Sequence, residues 1–268
     1  MKGRVLIVAG SDSGGGAGIQ ADLKAVTCLG GFAMTAITAL TAQNTLGVHA
    51  IHAVPLDFVR SQIRVVVEDL GADAVKTGML ATAPIIDAVA DELAAVAPRT
   101  PRVVDPVMVA KGGDRLLAED ATLALVRRLV AGAALVTPNL PEAAVLAGRP
   151  VRTVADMRAA AEAIRAAGAR AVLLKGGHLE GDRITDLLLT EAGEETFVDQ
   201  RIDSRHTHGT GCTLASAIAA GIAQGLSLRD AVARGRAYVR AAIASAPGYG
   251  HGHGPLDHAH TVRAFPSA

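Results

Sequence analysis

Short aliphatic runs alternate with longer segments of helical period along almost the whole chain. Residues 5–9 form a solid apolar run closed by Gly10-Ser11-Asp12, the pattern of a strand buried on both faces of a parallel sheet. A glycine-rich loop at 13–16 leads into a helix predicted from near Ala17 to a stop at Gly30-Gly31. Residues 32–40 are again strand-like, and a polar loop is expected at 41–45. The alternation continues with a helix over 59–70, a short strand at 74–76 and a helix over 84–96 that carries proline near its start. Residues 102–105 read as a strand ending on a carboxylate. A helix over 116–129, a strand at 134–136, a short helix at 141–146, a helix at 154–167 and a strand at 171–174 follow. Two strand-like pieces flank Gly193, and two helices close the pattern over 210–224 and 228–244.

Strands and helices in this order predict an α/β fold with a mostly parallel sheet and helices on both faces. No low-complexity linker and no internal repeat divides the chain, so residues 1–268 are expected to form a single domain. In open sheets of this kind ligands bind beyond the carboxyl ends of the strands. The polar motifs of this chain gather at those ends.

Composition narrows the function. Half of the residues are hydrophobic but only 2% are aromatic, so the core must be built from small aliphatic side chains. The net charge is zero with the histidines neutral, which gives nucleic acid or an anionic membrane no electrostatic hold. The apolar stretch at the N-terminus is too short for a signal peptide, and the stretch after Thr207 is too polar for a membrane span. With only Cys28 and Cys212, a cytoplasmic protein with reduced thiols is expected.

The turn His208-Gly209-Thr210-Gly211-Cys212 opens a predicted helix. Its glycines allow close backbone approach, and the helix N-terminus supplies unpaired N–H donors, so Gly209, Thr210 and Gly211 can hold an anion. A plain glycine-permitted turn is the ordinary alternative. Cys212 falls in the first helical turn, where the helix field is expected to lower its thiol pKa. Asp105 and Glu142 each follow a strand and together suit a hydrated Mg2+ shared with nucleotide phosphates, directly or through water. Taken singly, each reads as a cap or an exposed charge. Lys175, followed by Gly176-Gly177, is placed to meet phosphate or simply solvent. The loop at 10–18 has the glycine spacing of a dinucleotide site without its acidic ribose partner, which leaves a loop over a small substrate with Asp22 and Gln43 as polar readers. Four C-terminal histidines, His251, His253, His258 and His260, lack the spacing of a zinc site.

In their order along the chain these motifs resemble the ribokinase-like superfamily, in particular its hydroxymethylpyrimidine and phosphomethylpyrimidine kinases. The resemblance rests on Gly10-Ser11-Asp12 with 15–24, on 39–45, on Lys76-Thr77-Gly78-Met79 and on Asp105-Pro106-Val107-Met108. It continues through 137–143, Lys175-Gly176-Gly177-His178, His208-Gly209-Thr210-Gly211-Cys212 and the 252–256 tail. It implies a three-layer α/β/α ribokinase-like fold. The implied activity is ATP- and Mg2+-dependent phosphorylation of 4-amino-5-hydroxymethyl-2-methylpyrimidine, then of its monophosphate, in thiamine biosynthesis. Gly10, Asp22, Gln43, Met79 and Val107 would form the substrate pocket. Asp105 and Glu142 would serve the metal, Lys175 the nucleotide phosphate, Gly209 to Gly211 the anion hole, and Cys212 the reacting hydroxyl. A homodimer is also implied. Two departures stand out: Ser13-Gly14 replaces a Pro-Ser pair found in many relatives, and Cys212 stands where many sugar kinases carry aspartate. The cysteine also fits some pyridoxal kinases, which leaves pyridoxal or pyridoxine as the alternative substrate. A non-catalytic nucleotide sensor and a dinucleotide-dependent oxidoreductase are the rivals from other classes.

Overall fold

The computed structural model describes residues 1–109, 113, 116–118, 121–179 and 181–263. The aliphatic runs become the strands of one sheet: β1 (Arg4–Ala9), β2 (Phe32–Ile37), β5 (Ala74–Thr77), β6 (Arg102–Val104), β7 (Leu135–Val136), β8 (Val172–Leu174), β9 (Arg183–Thr190) and β10 (Gly193–Gln200). Their spatial order is β10-β9-β8-β7-β6-β5-β1-β2. The run from β2 to β8 is parallel, while β9 and β10 add on antiparallel.

Alternate residues of each buried strand serve opposite faces, as the pleat requires. Leu6, Val8, Val75, Val104 and Val136 pack under α2 (Leu56–Leu70), α3 (Ala83–Val96), α4 (Ala121–Leu125) and α6 (Val154–Ala166). Val5, Ile7, Val103, Leu135 and Leu173 pack under α1 (Gly18–Cys28), α7 (Thr210–Ala223) and α8 (Leu228–Ala244). Two aliphatic cores therefore sandwich one sheet, the three-layer arrangement expected. Small side chains let the helices lie close: a Cβ on Gly235 of α8 would come within 3.0 Å of Ile218 on α7.

Three local expectations change. The strand expected at 32–40 breaks at Thr38, whose hydroxyl donates to Met79 O at 2.8 Å and whose N–H donates to Ala9 O. Beyond that anchor the chain leaves the sheet, and the expected polar loop is instead the strand β3 (Ala39–Asn44), antiparallel to β4 (Gly47–Ala53). This hairpin forms a flap at the sheet's ligand-binding edge. The helix expected at 116–129 starts later: Leu116 and Leu117 are not helical, and α4 continues directly as a π-helical turn over Val126–Val130. The C-terminal histidines diverge rather than converge. His258 bonds Thr213, His260 stacks on Tyr238 with centroids 4.7 Å apart, and His253 faces the Arg205 carbonyl.

Candidate active site

The parallel strands release their loops on one edge, and there a cleft of about 1080 Å3 opens. Asp105 leaves β6 almost fully buried. Its Oδ1 accepts from Thr137 Oγ1 and from Lys175 Nζ, each at 3.1 Å. Lys175 leaves β8, and the loop after it is fixed from below: Gly176 N–H donates to Asp186 at 2.9 Å, and Arg201 donates to the carbonyls of Gly177, Leu179 and Gly181. Glu142 is the third residue of α5 (Leu140–Ala147) and forms a capping box with Asn139. Its capping role and its place in the cleft are thus both real, because the N-terminus of α5 opens into the cleft.

The turn before α7 is held by a close approach that only glycine permits. Gly209 has φ +82°, and a Cβ there would collide with the carbonyl oxygen of Gly16. No side chain caps α7, and no acidic residue lies in its first turn, so the helix presents its positive end to the cleft. A Cβ on Gly211 would lie 3.3 Å from Lys175 Nζ and 3.7 Å from Asp105 Oδ2. The glycine turn, the lysine and the first carboxylate are therefore one constellation.

Gly10, Gln43, Met79, Val107 and Cys212 line the same cleft. Gly10 and Met79 pack together; a Cβ on Gly10 would lie 3.0 Å from the Met79 sulfur. Asp22 is the exception. It is fully buried beneath the cleft, its carboxylate takes both contacts of Lys76 Nζ at 2.8 and 2.9 Å, and Ser216 Oγ donates to it at 2.7 Å. Asp22, expected as a polar reader near the substrate pocket, is instead a buried charge partner of Lys76.

Three residues of the site escaped the sequence reading. Lys76 has no exposure yet touches the cleft floor, and its signal was a lysine inside a solid aliphatic strand, which demands a buried carboxylate such as Asp22 on an otherwise apolar helix face. Asp12 and His208 pair across 196 positions at 2.8 Å, and nothing local announces that contact.

Electrostatics follow from this packing. Burial alone would lower the Lys175 ammonium, but Asp105 and Glu142 outweigh it and hold the pKa above its ordinary value. Lys76 behaves likewise, with Asp22 as the main opposing charge; burial raises the Asp22 carboxyl against the pull of Lys76, and the two short Nζ–carboxylate contacts favour the ionic form of the pair. Burial pushes the Glu142 carboxyl up to about 7, aided by Asp105 and opposed by Lys175. Burial also pushes the Cys212 thiol up to about 12, although Lys76 pulls the other way. The expectation of a thiol pKa lowered by the helix field is therefore not met: Cys212 is only half-buried in the cleft wall, yet the desolvation of its sulfur there outweighs the favourable charge of Lys76. A hydrated divalent cation fits Asp105 and Glu142, since two crowded carboxylates lack a full counter-charge. They offer too few donors for an all-protein cage.

Comparison with known proteins agrees with this geometry. Residues 12–257 match the family described as Phosphomethylpyrimidine kinase. The hydroxymethylpyrimidine/phosphomethylpyrimidine kinase of Streptomyces coelicolor is 51% identical over 95% of this chain and 93% of its own length. The thiamine biosynthesis bifunctional protein ThiED of Geobacter sulfurreducens is 53% identical over 96% of this chain, which spans about half (52%) of that longer relative. Among solved structures, the pyridoxal kinase of Staphylococcus aureus in complex with pyridoxal has a TM-score of 0.90 at 35% identity, covering 98% of this chain and 96% of that one. The phosphomethylpyrimidine kinase of Clostridium difficile has a TM-score of 0.79 at 39% identity, covering 89% and 98%. Matched over nearly all its length by the family and by full-length relatives, the chain is a kinase of the phosphomethylpyrimidine kinase family.

Proposed function

We propose that this kinase transfers the γ-phosphoryl group of ATP to the hydroxymethyl oxygen of 4-amino-5-hydroxymethyl-2-methylpyrimidine, and then phosphorylates the resulting monophosphate to the diphosphate. The observation that carries the reading is the place of Gly211, where a Cβ would lie 3.3 Å from Lys175 Nζ and 3.7 Å from Asp105 Oδ2, with Cys212, Gln43 and Met79 lining the same cleft. An alcohol held beside Gln43 and Met79 would meet a phosphate held by Lys175 at the N-terminus of α7.

Phosphoryl transfer rewards positioning and neutralisation of charge on the equatorial oxygens. The amides of 209–211 and the Lys175 ammonium supply that neutralisation. Asp105 and Glu142 would hold Mg2+, which would supply positive charge to the nucleotide phosphates. Gly10, Met79 and Val107 would wall the pyrimidine ring and Gln43 would hydrogen-bond it. Cys212, neutral at physiological pH, orients the alcohol rather than serving as a standing base. A loose transition state tolerates this, because the nucleophile needs little activation before the P–O bond forms. A neutral thiol also leaves no anion to repel the phosphate of the second substrate. We further infer a cytoplasmic homodimer, the dimer from the family resemblance alone, and light scattering checks the oligomeric state.

A second reading, pyridoxal as substrate, is favoured by the TM-scores of 0.88–0.90 to pyridoxal kinases. The test is a coupled assay with ATP and Mg2+ on the pyrimidine alcohol and on pyridoxal in parallel, with the mono- and diphosphate products resolved. Both pyrimidine phosphates should form, and chelation of Mg2+ should stop turnover. A larger kcat/KM for pyridoxal, or no pyrimidine product, would sink the primary reading.

A further inference from the structure

His208 has no part in the phosphoryl-transfer scheme, yet four segments meet on it. Its backbone N–H donates to Gly254 O at 3.1 Å, and it pairs with Pro255 in a parallel bridge. Its ring Nε2 lies 2.8 Å from Asp12 Oδ2 and 3.4 Å from the Gln43 amide nitrogen, and a Cβ on Gly16 would collide with the ring. Gly209 of the anion-binding turn is the next residue. The imidazole is buried, so these contacts cannot be exchanged for water at no cost.

The hydrogens in this cluster follow from its acceptors. Asp12 receives N–H bonds from Gly14, Gly16 and Ala17 at 2.8 to 3.0 Å, the environment of an ionised carboxylate, which can only accept. His208 Nε2 must then carry a hydrogen and give it to Asp12. Nε2 consequently has no lone pair for an amide N–H of Gln43. Thr41 leads to the same conclusion. Its hydroxyl gives its one hydrogen to Ser11 O at 2.8 Å, so its 3.2 Å contact with the Gln43 amide needs an N–H from that amide. Oxygen and nitrogen of a glutamine amide are assigned from such networks. The amide therefore turns its oxygen to His208, whose single Nε2–H bonds Asp12 at 2.8 Å and reaches the Gln43 oxygen as a weaker second acceptor at 3.4 Å, and its nitrogen to Thr41.

We propose that His208 is a positioning residue of the substrate site: anchored by Asp12 in its Nε2–H form, it orients the Gln43 amide so that one N–H and one oxygen lone pair face the substrate. That edge complements an aromatic ring nitrogen beside an exocyclic amine. The inference rests on the pyrimidine reading above and deepens it, because it assigns what selects the amine.

The test uses the full chain as wild type, His208→Phe and His208→Gln, with calorimetric binding and steady-state kinetics. The probes are the aminopyrimidine alcohol and its analogue lacking the 4-amino group. His208→Phe should weaken binding of the aminopyrimidine about tenfold or more and bring its affinity close to that of the analogue, as expected when a directional hydrogen bond is lost. The KM for ATP should stay within about twofold, and His208→Gln, which keeps a donor near the Nε2 position, should restore most of the discrimination. A His208→Phe enzyme that still discriminates, or that loses both probes and ATP alike, overturns the proposal. A 15N-resolved spectrum of the wild type decides it even if the Phe variant does not fold: the Nε2–H tautomer is required, and the Nδ1–H tautomer overturns it. A wild type that binds no pyrimidine overturns the functional reading and this inference together, whereas one that binds it with the wrong tautomer overturns the inference alone.

Discussion

Cys212 shows how a single residue can be read correctly for place and wrongly for chemistry. Its position after two glycines at a helix start was legible, and so was its route into the cleft. Its ionisation was not, because desolvation depends on what packs around the sulfur, and Lys76 and the Gly18 N–H arrive from distant parts of the chain. With the thiol pushed up to about 12, its carbamidomethylation should quicken about tenfold per pH unit between pH 7 and 9, followed by peptide-resolved mass spectrometry to separate it from Cys28. A plateau near neutrality would mean a resident thiolate. Lys76 and Asp22 make the second residue-scale prediction. Lys76→Met strands a buried carboxylate and should cost about 3–5 kcal/mol in chemical denaturation, as removal of one partner of a buried pair does. Adding Asp22→Leu to that variant should recover part of the loss. If both variants unfold alike, the pair is not coupled.

At the scale of elements, the turn before α7 and the glycine loop before α1 are one unit, since the Gly209 Cα sits against the Gly16 carbonyl. Gly209→Ala must fit a Cβ both against that oxygen and at positive φ. It should lower kcat/KM on both pyrimidine substrates at least tenfold while destabilising the fold by about 1–3 kcal/mol. A variant with wild-type kinetics would detach the turn from catalysis. The helices and buried strands were legible because their periods, 3.6 residues or a solid aliphatic run, are local properties. The flap was not: 39–45 has few of the apolar residues that mark a strand, and its register is set by Thr38 anchored to Ala9 and Met79. The later start of α4 escaped for the same reason, because leucines at 116 and 117 continue a helical pattern while their N–H groups go to Met108 O instead. The candidate site divided similarly. Asp105, Glu142, Lys175 and the glycine turn follow strands or start helices, which sequence can locate, whereas Asp12, His208 and Lys76 owe their roles to pairings across the fold.

The molecule as a whole carries a built-in acid limit. His258 is buried against Thr213, beside the anion-binding turn, and burial, with Lys24 adding to it, lowers its pKa to about 4. A folded-state value below the ordinary ~6.5 means the unfolded chain binds the extra proton first. The associated stability is therefore complete above pH ~6.5, falls as the pH drops toward 4, and amounts to about 3 kcal/mol. Urea midpoints measured from pH 7 to 4 should fall in wild type, with a clearly shallower slope in His258→Asn; equal slopes would assign the acid lability elsewhere. The C-terminal segment that carries this histidine also ties down the flap, because Gly252 and His253 donate to Thr45 and Pro255 pairs with His208. Thr45 and Gly252 lie 207 positions apart, so the bond that pins the flap closes a loop spanning most of the chain. On the ribosome the sheet can begin to assemble while synthesis proceeds, but the mouth of the active site cannot be finished until residue 255 has left the exit tunnel. A nascent chain halted between β10 and that point would have its sheet strands in place and still lack the segment that pins the flap.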